Sequence, residues 1–192
     1  MLLLYALVAG VMFAWYRQVR SAFATSAPVW IAMALLAGGL IAFVKADLAC
    51  FHEIWAGLLI ALSLAVRREG KWIEAVAIGL IAMLIRETAA LYVVIMAVFA
   101  VVEGHRKEAI GWATTLGVLA VVLALHAHAV SLVVRETDPA MAGWPGPLGF
   151  GFFITTMQLW TVLTLAPLWF AAPVIGLALF GWATWKGALA LR

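Results

Sequence analysis

The sequence predicts an all-α protein: a polytopic transmembrane helical chain with about seven spans. Three observations carry this expectation. The 192 residues are 67% hydrophobic and 11% charged, with a mean hydropathy of +1.13. A water-facing domain is about half apolar and about a quarter charged. The apolar residues also fall in blocks broken by short charged clusters, the pattern of spans and loops. Finally, Trp15, Trp30, Trp55, Trp72, Trp112, Trp182 and Trp185 stand near the ends of those blocks, where an indole sits at headgroup level. Trp160 and Trp169 lie deeper in their block and read as packing residues.

The candidate crossings are roughly 2–16, 29–44, 48–66, 72–85, 88–102, 111–130 and 152–182, all within one transmembrane domain. Helices suit them because lipid offers no partner to an open strand edge. The stretch Trp72–Val102 would be about 46 Å long as one helix. It would then bury Arg86 and Glu87 near the bilayer centre at a cost of several kcal/mol unless they paired. Two legs meeting at Arg86–Thr88 avoid this. With that division, Arg17, Arg20, Arg67, Arg68, Lys71, Arg106, Lys107, Lys186 and Arg192 fall on one side. Only Lys45, Arg86 and Arg135 fall on the other. The excess of cations places the first group in the cytoplasm. The expected location is a bacterial cytoplasmic (inner) membrane, multi-pass.

The net charge of +3 reads as cytoplasmic loops rather than as a nucleic-acid surface. The RREGK and EGHRKE loops set topology and touch anionic lipid. The single cysteine, Cys50, allows no disulfide within the chain. There is no CxxC, HExxH or Gly-rich phosphate loop. The first span begins outside without a polar tail, so the reading expects a portion, or a shortened relative, of a longer protein. Gly38, Gly39, Gly57, Gly79 and Gly117 read as close-packing positions.

Polar residues that carry chemistry gather on the outer side. Asp47, His52 and Glu53 lie in KADLACFHE, and Arg86 and Glu87 in IRET. Ionisable groups at membrane depth are functional candidates. Glu53 or Asp47 suits a general base or a ligand to Mg²⁺ or Mn²⁺. His52 suits a proton carrier. Arg86 suits a phosphate clamp, with Glu87 beside it in the substrate site. Each has a plainer alternative: Arg86 and Glu87 can pair with neighbours, and Asp47 can cap the third span.

The stretch from Phe51 to Ala113 also resembles bacterial polytopic proteins of the glycosyltransferase C (GT-C) type. The features that carry it are Phe51, His52, Glu53 and Trp55, the WAGLLIALSL span with its exit Arg67–Arg68, LIRET at Leu84–Thr88, and the EGHRKEA loop. The resemblance covers about residues 45–130. It implies a partial GT-C-like bundle and a polyprenyl phosphate sugar donor used on the non-cytoplasmic face, with LIRET on the lipid-phosphate side. The large first external loop that bears the catalytic acid in that superfamily has no counterpart here, so no catalytic acid is carried over. The expected function is thus membrane glycosyl transfer. A non-catalytic membrane subunit or fragment, with a membrane protein partner, and a small lipid or solute transporter are the alternatives. Membrane lipids are expected partners in every case.

Overall fold

The computed structural model describes residues 1–41, 44–45, 48–68, 70–134, 149, 151, 154–155, 158 and 166–184. Among them are seven α-helices: α1 (Leu2–Ala22), α2 (Ser26–Ile41), α3 (His52–Val66), α4 (Ile73–Ile85), α5 (Ala90–Val102), α6 (Arg106–Ser131) and α7 (Leu168–Thr184). One compact unit takes in Met1–Leu125, and the described residues after Leu125 belong to a second.

Local sequence explains most of the boundaries. Leu, Ala and Met favour the helix throughout α1, which stops where Phe23 turns extended. Pro28 falls in the first turn of α2, where a missing N–H costs nothing. Glu53 and Glu74 lie in the first turns of α3 and α4, favourable positions against the helix dipole. Between α4 and α5 the chain goes extended at Arg86 and makes a 3-10 turn over Glu87–Ala89. Gly104 ends α5 with φ of 78°, in the left-handed region. The His105 N–H donates to Ala100 O at 2.8 Å and the Gly104 N–H to Val101 O at 3.1 Å. This pair of bonds is a Schellman cap. It turns the chain sharply from α5 into α6.

The first unit has three apolar clusters. Val19 of α1 meets Val29 and Met33 of α2; Leu4 and Val11 of α1 meet Leu58 of α3. Val76 and Met83 of α4, Val93 and Met96 of α5, and Trp112 and Leu119 of α6 form the largest. Side-chain bonds tie the clusters together. The Trp15 indole donates to Ala61 O at 3.0 Å. Ser63 of α3 donates to Ala75 O of α4 at 2.7 Å, so the Tyr92 hydroxyl, also 2.7 Å from Ser63 Oγ, is the donor in that second bond. Trp112 is fully buried, packed edge-on against Tyr92 and over Gly79. Trp72 lies against Gly111 in the same way. These two indoles are packing residues, whereas Trp169 is exposed. Trp72 and Trp112 were expected at headgroup level and instead pack within the unit; Trp169, expected to pack, is exposed and stands edge-on to Phe170. Gly79 is a close-packing position, but a side chain at Gly39, Gly57 or Gly117 would meet nothing within 4 Å.

In the second unit, Pro167 precedes α7 and its carbonyl accepts from the Phe170 and Ala171 N–H groups. Pro173 lies inside α7. The Gln158 amide donates to Ala166 O. Most of the expected span 152–182 before Ala166 is outside the described residues, as are Trp160, Trp185, Arg135, Lys186 and Arg192.

The expectation of about seven spans is corrected. Among the described residues, two helices are long and apolar enough to cross a membrane, Leu2–Ala22 and Arg106–Ser131. The segments Ser26–Ile41, His52–Val66, Ile73–Ile85, Glu87–Val102 and Leu168–Ala178 are apolar but only 10–17 residues long. Thirteen residues of helix reach about 20 Å, against about 30 Å of hydrocarbon. The apolar blocks in the sequence included turns and loop residues, so they overstated helix length. The first unit is also held by a buried ion-pair cluster, described below, at the place expected to be a cytoplasmic loop. The polytopic GT-C-like bundle therefore gives way to an all-α chain with two candidate spans. The multi-pass placement in a bacterial inner membrane falls with it.

Candidate functional site

Two charge clusters lie at opposite ends of α3, whose 15 residues separate them by about 22 Å. The first gathers three residues singled out in the sequence. Arg86 Nη2 is 3.1 Å from Glu53 Oε1, and Arg86 Nη1 is 3.8 Å from Glu87 Oε1. Both carboxylates are about half exposed and the guanidinium is one-third exposed. The helix break produces this arrangement. Extended backbone at Arg86 ends α4 beside the first turn of α3, where Glu53 projects. Arg86 Nε is buried and has no hydrogen-bond partner among the described residues. One donor of the fork is thus left without an acceptor.

His52 is the first residue of α3 and is exposed. No hydrogen bond or ion pair joins it to Glu53 or Arg86 among the described residues. Asp47 lies outside those residues. Glu53, expected to act as a base or bind a cation, instead accepts from Arg86. No three His, Cys, Asp or Glu residues come together to hold a metal ion among the described residues. The Mg²⁺ or Mn²⁺ considered from the sequence finds no matching ligand set there.

The second cluster was not anticipated. Arg67, just past the end of α3, is 2% exposed. Its Nε donates to Glu108 Oε1 at 2.6 Å, and its Nη2 donates to Glu103 Oε2 at 2.9 Å and Glu108 Oε2 at 3.3 Å. Glu108, also 2% exposed, accepts from the Trp112 indole at 3.1 Å. His105 Nδ1 is 3.5 Å from Glu103 Oε2 and 3.8 Å from Glu108 Oε2. The Schellman turn at Gly104 sets this geometry, because it folds the end of α5 and the first turn of α6 onto the same guanidinium. Burial works to lower the pKa of Arg67, but its hydrogen bonds and charge interactions with Glu108 and Glu103 outweigh that, and the net shift is upward. The cluster locks α3, α5 and α6 together. Its satisfied geometry, with every acid oxygen named here already engaged, suits a structural role rather than a ligand. The only hint in the sequence was the presence of two acids, Glu103 and Glu108, flanking a loop read as basic.

Around the same end of the unit, the turn Arg68–Lys71 brings two cations side by side. The Lys71 N–H donates to Arg68 O at 2.9 Å and the Arg68 N–H to Lys71 O at 3.3 Å. Gly70 takes the left-handed conformation, φ 73°, that this turn requires. Arg68, Lys71, Arg17 of α1 and Glu74 of α4 border a cavity of about 380 Å³.

No protein-family model, curated protein or solved structure matches the chain. The expected glycosyl transfer from a polyprenyl phosphate sugar is corrected here. That reaction depended on seven crossings to place Glu53, Asp47 and Arg86 on a non-cytoplasmic face, and five of the described apolar helices are too short to make them. The alternatives, a non-catalytic membrane subunit or fragment and a small lipid or solute transporter, assumed the same polytopic membrane bundle and are corrected with it.

Proposed function

We propose that this protein is a helical module that associates with lipid, using the apolar surface of α1 and α6 as its lipid contact and its basic end as its headgroup contact. One observation carries this reading: α6 is 26 residues long and little of its apolar surface is buried. Val121 and Leu125 are 61% and 65% exposed. A helix of that length reaches about 39 Å, and a core helix would have covered those side chains. On α1, Leu2, Leu3 and Phe13 are exposed as well. Apolar surface on this scale marks a lipid or protein contact.

Charge favours lipid over a protein partner. The contacts around Arg67 and around the 380 Å³ cavity draw together the end of α1, the α3–α4 turn and the start of α6. Arg17, Arg20, Arg68, Lys71, Arg106 and Lys107 are carried on these segments. A cluster of cations beside an apolar body is the sequence form of an anionic-lipid contact, at about 1 kcal/mol per cation near the surface.

Flotation of the purified chain with liposomes tests this. The protein is expected to float with neutral vesicles and to resist extraction by high salt and alkaline carbonate. Recovery of folded, monomeric protein in the aqueous fraction, with or without anionic lipid, would sink the reading.

A further inference from the structure

The cavity between α1, the end of α3 and the start of α4 is two-sided, and nothing in the proposed lipid association specifies what fills it. Phe13, Leu62 and Val66 supply an apolar wall. Its charged lining is Arg17, Arg68 and Lys71 against one acid, Glu74, an excess of two positive charges among the described residues. Arg17 is held over the Phe13 ring, with its guanidinium carbon 5.8 Å from the ring centre. This cation–π contact fixes the charge at the junction of the apolar and charged linings.

The Arg68–Lys71 turn adds an independent observation. Residues that exchange backbone bonds across an antiparallel pair project their side chains to the same side. Like charges placed directly opposite are unfavourable. The fold therefore sets two cations against each other beside the cavity, and neither is in an ion pair among the described residues. Among the described residues lining the cavity Glu74 is the one acid, so this local rule is only partly compensated there, and such positions mark function. An anion between the two side chains would supply the missing compensation. Arginine and lysine together suit phosphate oxygens, the one by its fork and the other as a point charge.

The geometry points to this cavity as a binding site for a phosphate-headed amphiphile. The phosphate sits between Arg17, Arg68 and Lys71, and the first part of an acyl chain runs along Phe13, Leu62 and Val66. The volume is near the lower end of ligand-site sizes. It accepts a headgroup and a few methylenes, so the rest of the tail lies outside, along the exposed apolar side of α1. The inference rests on the lipid-association reading for that outer part of the tail only.

The test uses the full chain in a neutral detergent, which keeps it separate from vesicle partition. Binding of short-chain phosphatidic acid, phosphatidylcholine of the same chain length and inorganic phosphate is measured by native mass spectrometry and by change in tryptophan fluorescence. Phosphatidic acid is expected to bind more tightly than either of the others. Arg68→Ala and Lys71→Ala should each weaken it about 5-fold, and the pair about 25-fold. Glu74→Gln should strengthen it, a gain that a folding defect does not mimic. Circular dichroism checks that each variant keeps its helix content.

Equal binding of phosphatidic acid and phosphatidylcholine, unmoved by the three substitutions, overturns the site. Inorganic phosphate binding as tightly as the amphiphile overturns the apolar half of the proposal. If selective binding in detergent is found while the protein fails to float with vesicles, the site stands and the lipid-association reading fails. The reverse pair of results leaves lipid association in place and removes the site.

Discussion

Arg67 Nε lies 2.6 Å from Glu108 Oε1, joining residues 41 positions apart in the chain, and both side chains are almost fully buried. Removing one partner of such a pair strands a charge away from water. Arg67→Ala is expected to cost about 3–5 kcal/mol, read as a lowered unfolding midpoint in denaturant. The pair Glu53–Arg86 has the same chemistry at 3.1 Å but is partly exposed. A double-mutant cycle on it should give less than about 1 kcal/mol. Equal coupling at the two sites would show that the burial difference has no energetic meaning.

Ser63 and Tyr92 form a directional chain with the Ala75 carbonyl. Ser63→Ala leaves both the carbonyl and the Tyr92 hydroxyl without this partner, at a cost of about 1–3 kcal/mol. Tyr92→Phe alone should cost less, because Ser63 keeps its bond to Ala75. The double variant should be more stable than the sum of the two predicts, since the orphaned hydroxyl is gone. Strict additivity in chemical unfolding would contradict the shared bond.

Gly79 and Gly117 lie on helices but make opposite predictions. A Cβ on Gly79 would come within 2.7 Å of Trp112 Cζ3, a ring carbon held by the core, while a Cβ on Gly117 would meet nothing within 4 Å. Gly79→Ala is expected to destabilise by about 1–3 kcal/mol through overpacking. Gly117→Ala should stabilise by up to about 1 kcal/mol through helix propensity. Thermal melts of the two variants should move in opposite directions.

Val121 and Leu125 separate lipid from water as the surroundings of α6. Both are exposed, so lysine at either position is tolerated by the fold and improves solubility if α6 faces water. In hydrocarbon each lysine costs about 2.5–3.5 kcal/mol near the centre of a span. The double variant Val121→Lys, Leu125→Lys should therefore partition into vesicles far less than the unsubstituted chain. Unchanged partition would place α6 outside the lipid.

The sequence read well where the signal is local. Two apolar legs separated at Arg86–Thr88 were expected from the position of two charges, and α4 ends at Ile85 with α5 starting at Ala90. Glu53, Arg86 and Glu87 were singled out for being ionisable beside apolar runs, and they meet at that break. The reading failed where hydropathy stood in for length. An apolar block does not report where its helix starts, so 13-residue helices were counted as crossings. It failed again at Arg67, whose partners Glu103 and Glu108 come into reach only through the Gly104 turn. Composition marks such an arginine as one more loop cation. Trp112 shows the same limit: an indole at the edge of an apolar block suits a headgroup or a core equally, and only the glycine at position 79 across the helix pair decides.

The Arg67 cluster also puts a delay into biosynthesis. A ribosome adds about 5–20 residues per second, so the 41 positions from Arg67 to Glu108 take roughly 2–8 s to make. Until Glu103 is made α3 exists with its terminal cation without either acid, and until Glu108 follows, the buried half of the cluster cannot close around it. Assembly of this unit is thus gated by the synthesis of the first turn of α6. A nascent chain stalled before Glu108 would keep that end of α3 open to water, headgroups or a chaperone.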